Sequence, residues 1–141
     1  MDIRQLTDTY AVSPQITPDD MPAIAAAGFK TVICNRPDAE NTADLHIDQM
    51  QAAADQAGLS FKLNPFPSPM MSMDHVTEQD HLVENSAAPV LAYCASGTRS
   101  CRVWALSQAG KMPTDDIIAA AARGGYQIED LRPHIDALAK R

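Results

Sequence analysis

Apolar positions along this chain fall into two patterns. Short, nearly continuous runs of β-branched and aliphatic residues are bounded by turn formers, and longer segments repeat apolar residues at helical spacing. The clearest runs are "TVIC" at 31–34 and "VLAY" at 90–93, beside which the mixed "LSFKLN" at 59–64 predicts a further strand. Unbroken apolarity over so few residues predicts strands buried on both faces. "DIRQLTDTYAVSPQ" mixes β-formers with turn formers and predicts one or two further short strands, near 3–6 and 9–12. Between the runs lie helical segments. In "ITPDDMPAIAAAGF", Thr17 suits a cap, Pro18 the first helical position, Asp19 and Asp20 the positive end, and Gly28 the stop. Thr42 is placed to cap a second helix with Leu45, Ile47, Met50, Ala53, Ala54 and Ala57 inward, ended by Gly58.

"PFPSPMMSMD" holds three prolines between Pro65 and Pro69, which excludes regular structure and predicts a stiff loop of the kind that borders sites. A helix is expected near 74–86 with Val76, Leu82 and Val83 inward, and another over about 97–109 packing Val103, Trp104 and Leu106. "TDDIIAAAARGG" and "IEDLRPHIDALAKR" predict two closing helices. Strands alternating with helices imply an α/β fold: a mainly parallel sheet flanked by helices, with right-handed crossovers and ligands beyond the C-terminal strand ends. Two loops are expected at that edge, "NRPD" after the Val32 strand and "CASGTR" after the Leu91 strand.

Composition narrows the function classes. The 141 residues fit a single domain over 1–141 with room for a core. The formal charge of −7, from 11 Lys and Arg against 18 Asp and Glu, argues against an extended nucleic-acid surface or an anionic membrane. No stretch approaches the roughly 18 apolar residues of a membrane span. The N-terminus lacks a basic start followed by an apolar block, so a cytoplasmic location is expected. Three cysteines without metal-ligand spacing predict neither a disulfide framework nor a metal centre, and no cofactor is called for. The oligomeric state leaves no mark on the pattern.

The chemistry concentrates in "YCASGTRS". Ala95, Ser96, Gly97 and Thr98 are small enough for the backbone to curl and aim successive N–H groups at an anion where a helix opens. Cys94 at the rim would lie near the positive helix end and near Arg99, both of which favour the charged, nucleophilic sulfur. Arg99 can pair two donors with an oxyanion, and Ser100 can donate to the sulfur or tie the loop down. In the other loop, Arg36 and Asp38 either brace each other as an ion pair or, for Arg36, reach a substrate oxyanion. Met70, Met71 and Met73 either line an apolar wall or fill space. Cys34 and Cys101 read as buried, and His46, His75, His81 and His134 as helix-surface residues.

"YCASGTRS" together with "VSPQITPDDMPAIAAAGFKTVICNRPDAE" resembles the phosphatase-like domains of β-lactamase-hydrolase-like proteins, over about 12–126. The resemblance implies a fold similar to dual-specificity phosphatases and an activity like that of rhodaneses, which carry sulfur as a cysteine persulfide. Protein tyrosine phosphatases place five residues between nucleophilic Cys and Arg; here there are four, the shorter cradle of rhodaneses. Dual-specificity phosphatases carry an Asp about thirty residues before the cysteine, whereas "FKLNPFPSP" has no acid, leaving Asp74 or Asp38 as substitutes. Relatives usually carry His where Tyr93 stands and often Arg where Ala95 stands.

Three functions follow. The first is sulfur transfer through a Cys94 persulfide, from thiosulfate or a low-molecular-weight persulfide as small-molecule donor to a thiol acceptor. The second is a phosphatase acting through a Cys94 phosphocysteine, with Asp74 as candidate acid. The third is a non-catalytic anion-binding or redox-sensing module.

Overall fold

A computed structural model describes residues 1–140. Five strands form one sheet in the order β1 (Arg4–Gln5), β2 (Tyr10–Ser13), β5 (Val90–Tyr93), β3 (Thr31–Cys34), β4 (Ser60–Leu63). Only β1 runs antiparallel to its neighbour; the other pairings are parallel, as the alternation of strands and helices predicted, and the edge strand β4 buries only Phe61. The strand that leads into the cysteine loop, β5, is central. It pairs residue for residue with both neighbours, so that Tyr93 stands opposite Ser13 on β2 and Cys34 on β3. The loops leaving β2, β3 and β5 therefore emerge side by side at one edge.

Strand alternation divides the core in two. Val90 and Ala92 of β5 face one layer with Tyr10, Val12 and Ile33, covered by α3 (Met73–Asn85), α4 (Thr98–Ser107), α5 (Thr114–Arg123) and α6 (Arg132–Ala139). Leu91 and Tyr93 face the other layer with Ala11, Val32 and Cys34, covered by α1 (Met21–Ala26) and α2 (Ile47–Ala57). Helices thus switch faces between α2 and α3, the arrangement that opens a crevice at the C-terminal strand ends. Arg141, the last residue of the predicted closing helix, lies outside the described residues.

Two helix starts differ from the sequence reading. Pro18–Asp20 is a 3₁₀ turn, and α1 begins only at Met21. Asp20 holds the turn by accepting from the Thr17 N–H at 2.9 Å. The second helix does not begin at Thr42. Residues Ala43–Leu45 form a 3₁₀ turn, and α2 begins at Ile47, whose N–H donates to Asp38 Oδ1 at 2.8 Å. A carboxylate nine positions upstream thus satisfies a donor that the local sequence assigns to Thr42. Gly58 ends α2 in the left-handed conformation, as expected.

Among the described residues no helix is long and apolar enough to cross a membrane, and no group of His, Cys, Asp and Glu is arranged to hold a metal ion.

Candidate active site

Cys94 is the first residue beyond β5, and the chain turns through Ala95, Ser96 and Gly97 into α4. Three donors pull the loop carbonyls outward. The Gln15 N–H donates to Ala95 O at 3.2 Å, the Tyr126 hydroxyl to Ser96 O at 2.9 Å, and the Tyr10 hydroxyl to Ser100 O at 2.9 Å. In a planar trans peptide the C=O and the following N–H point in opposite directions. Anchoring Ala95 O and Ser96 O outward therefore aims the Ser96 and Gly97 N–H groups inward, and Gly97 N donates to Cys94 Sγ at 3.1 Å. Cys94 itself is 1% exposed. Cys101 N donates to Gly97 O in the first closed turn of α4, so the N–H groups of Arg99 and Ser100 belong to the opening turn that has no intrahelical acceptor. The result is a donor-rich turn in which one N–H, that of Gly97, bonds the sulfur.

Gly97 makes the turn with φ of 91°, where a side chain is strained. A Cβ there would also stand 2.0 Å from the Tyr126 hydroxyl. The tyrosine that holds the loop thereby fixes glycine at the position.

Arg99 is oriented by a residue that the sequence pattern did not single out. Its Nη1 donates to Glu40 Oε2 at 2.8 Å and to Phe66 O at 3.0 Å, and its Nη2 donates to Glu40 Oε1 at 2.7 Å. This fork occupies both Nη1 hydrogens and one of Nη2. The other edge, Nε and the second Nη2 hydrogen, has no oxygen partner among the described residues, and it is the pair of donors suited to an oxyanion. The Arg99 guanidinium is raised by its bond to Glu40, with a further contribution from the neighbouring Cys94 sulfur.

Arg36 completes the bracket. It pairs with Glu40, not with Asp38: Nε donates to Glu40 Oε1 at 3.2 Å, and Nη1 to Gln15 Oε1 at 3.2 Å. Asp38 is committed to the start of α2. The expected Arg36–Asp38 pair is therefore absent, because Glu40 presents its carboxylate to both arginines while Asp38 turns toward the helix. The Arg99 bond, with help from Arg36, holds the Glu40 carboxyl below the usual carboxylate range. It is thus ionised at neutral pH and the Arg99 contact persists until the pH falls below the ordinary glutamate value of about 4. Glu40→Gln should keep the fold but lose the charge that aims Arg99. We expect an unchanged melting temperature with kcat/KM reduced about ten- to a hundredfold, carried mainly by KM for an anionic substrate. Steady-state kinetics of the two proteins, with Glu40→Asp as a partial rescue, checks this.

Ser100 ties the loop down instead of addressing the sulfur. Its hydroxyl donates to Asn35 Oδ1 at 2.9 Å. Asn35 Nδ2 in turn donates to Gln79 Oε1 at 2.8 Å and to Asn64 O at 3.0 Å, and Gln79 Nε2 donates to the Tyr10 hydroxyl at 3.1 Å. Gln79 is fully buried on α3. This closed amide and hydroxyl network lies beneath the loop and joins the ends of β3 and β4 to α3 and α4. Buried networks of this kind fix one arrangement when every member is satisfied, and no buried side-chain polar atom of the described residues lacks a partner.

The remaining sequence candidates divide. Met71 and Met73 line the cleft beside the loop, whereas Met70 is exposed. Asp74 is exposed in the first turn of α3 and is not among the cleft-lining residues. His134, assigned to a helix surface, lies on α6 at the cleft wall. Tyr93 faces the α1 and α2 layer, where burial pushes its phenol up, so strand alternation removes it from the sulfur's side. Cys34 and Cys101 are free and buried. Burial pushes the Cys101 thiol up to about 12, that of an inert packing residue.

Residues 2–111 match the phosphatase-like domain of the β-lactamase hydrolase-like protein family. The chain belongs to that family. The β-lactamase hydrolase-like protein of Xylella fastidiosa strain Temecula1 is 28% identical over 130 residues, covering 91% of this chain but only 30% of that protein, so the chain spans less than a third of this relative's length. A crystal structure of a candidate phosphatase from Neisseria meningitidis Z2491 is similar over 98% of this chain and 99% of its own, with 35% identity and a TM-score of 0.84. Tk-PTP, solved in its active form, is similar in fold with 16% identity and a TM-score of 0.73 over 99% of this chain and 97% of its own. The phosphatase-like domain thus has the mainly parallel α/β architecture of protein tyrosine and dual-specificity phosphatases.

Proposed function

We propose that the phosphatase-like domain hydrolyses a phosphomonoester by two displacements through a Cys94 phosphocysteine. What carries this reading is the Nε–Nη2 edge of Arg99, without an oxygen partner among the described residues, beside a sulfur that accepts from the Gly97 N–H, in a chain similar throughout to a candidate phosphatase. The Cys94 thiolate attacks phosphorus, the S–P bond forms as the ester P–O bond breaks, and the leaving oxygen keeps the bonding pair and is protonated. Water then attacks phosphorus, the S–P bond breaks, and thiolate and inorganic phosphate are released. The loop N–H groups and Arg99 stabilise the charge on the transferring phosphoryl oxygens. The cleft-lining residues include no carboxylic acid, which favours leaving groups that depart as stable anions, such as phenoxides.

A second reading, sulfur transfer through a Cys94 persulfide, is favoured by the same lack of a cleft acid and by the four-residue spacing from Cys94 to Arg99. One experiment separates the two. Purified protein is incubated with an aryl phosphate or with thiosulfate, quenched in acid, and Cys94 is analysed by mass spectrometry alongside product release. Phosphocysteine with phenol release at rates above background is the expected result. An added sulfur on Cys94 without any phosphate turnover would overturn the phosphatase reading in favour of the second.

A further inference from the structure

A cleft of about 700 Å³ opens directly from the Cys94 loop. Ala95, Ser96, Thr98 and Arg99 form its floor, and Phe66, Pro67, Met71, Val76, Leu106 and Leu131 supply apolar walls. Its ionisable groups are Arg99, Arg102 and His134. Arg102 lines it, but its guanidinium is held by Asp130 at 3.2 and 2.6 Å. Arg99 turns its Nε–Nη2 edge, which has no oxygen partner among the described residues, to the base beside Cys94, so the cleft offers an anionic seat there and apolar surface above.

A single phenyl ring would leave most of such a volume to water. From this we infer that the natural ligand is an amphiphilic ester: a tetrahedral oxyanion head seated over Cys94, joined to an apolar body larger than one aromatic ring. Inorganic polyphosphates and sugar phosphates lack that body. The inference rests on the loop as the seat of an oxyanion, the same premise as the phosphatase reading, but it concerns what lies beyond the head. The wall is also adaptable: Met71 and Met73 are unbranched and flexible, suiting bodies of more than one shape.

Binding of non-hydrolysable sulfonates to the full chain tests this without requiring turnover. Benzenesulfonate, naphthalene-2-sulfonate and a series of linear alkanesulfonates are compared by titration calorimetry. We expect naphthalene-2-sulfonate to bind about tenfold more tightly than benzenesulfonate, and each added methylene to tighten binding about threefold until the cleft is filled. The double variant Met71→Gln, Met73→Gln, altered at one half-buried and one exposed position of the wall, should flatten that series. Equal affinities across the series, or no sulfonate binding at all, would overturn the inference. If the series holds while no phosphomonoester is turned over, the amphiphilic ligand stands and the phosphatase reading falls. If aryl phosphates are turned over while sulfonate affinities are equal, the phosphatase reading stands and the amphiphilic ligand falls.

Discussion

Cys94→Ser should fold as the wild type does and lose turnover by about 10⁴-fold or more, while still binding anions. The position is buried and tightly surrounded, yet the exchange of sulfur for oxygen removes no carbon and leaves a hydroxyl oxygen near the Gly97 N–H to accept its bond. Thermal melting by circular dichroism should therefore move little. The nucleophile, in contrast, changes from a thiol to an alcohol, which is intrinsically far weaker toward phosphorus. Loop N–H groups and the open edge of Arg99 remain, so sulfonate or phosphate affinity should stay within a few fold of the wild type. Activity within tenfold of wild type would place the chemistry elsewhere.

Gly97→Ala should be the most damaging single methyl in the loop. Two costs act together there: the left-handed backbone, worth about 1–2 kcal/mol for a residue with a Cβ, and the overlap of that Cβ with the Tyr126 hydroxyl at 2.0 Å. The tyrosine cannot simply swing away, because its hydroxyl holds Ser96 O and Arg4 lies over its ring at 5.2 Å. A total destabilisation of about 3 kcal/mol is expected, with activity falling further than stability because the Gly97 N–H leaves the sulfur. Combining Gly97→Ala with Tyr126→Phe should recover part of the stability by removing the overlapping oxygen, leaving the backbone strain. Denaturant unfolding of the two single variants and the double variant measures this coupling, and strictly additive effects would show that the overlap is relieved in some other way.

The parallel strands and their order of crossing helices were legible because buried strands leave continuous apolar runs, and because Gly58 and Pro89 punctuate them. The cysteine loop was legible for a related reason: its small residues, Arg99 and the helix that follows are local in sequence. Its supports were not. Glu40 reaches Arg99 across 59 positions, Gln79 reaches Tyr10 across 69, and Tyr126 reaches Ser96 across 30. A carboxylate in a polar loop, a glutamine on a helix and a tyrosine after a glycine pair have no local signature that distinguishes them from solvated or packing residues. The Arg36–Asp38 expectation failed on the same ground: proximity in sequence favoured Asp38, while the loop's 3₁₀ turn at Asp38–Glu40 presents Glu40. The pattern of Gln15, Arg36, Glu40 and Arg99 converging from three strand ends exists only once β2, β3 and β5 lie side by side.

The prolines of the loop after β4 carry a consequence for how a ligand is oriented. Pro67 and Pro69 stand in the wall of the cleft whose floor is the cysteine loop, and proline has no backbone N–H. That wall therefore has fewer groups with which to solvate a negative head, whereas the loop is crowded with them. An entering anion meets an uneven field of donors, so a ligand placed in reverse, head toward the prolines, finds only the Ser68 and Ser72 groups there to replace its hydration. Directionality is thus written into the backbone chemistry of the wall, and it would survive any exchange of the side chains around it that left the prolines in place.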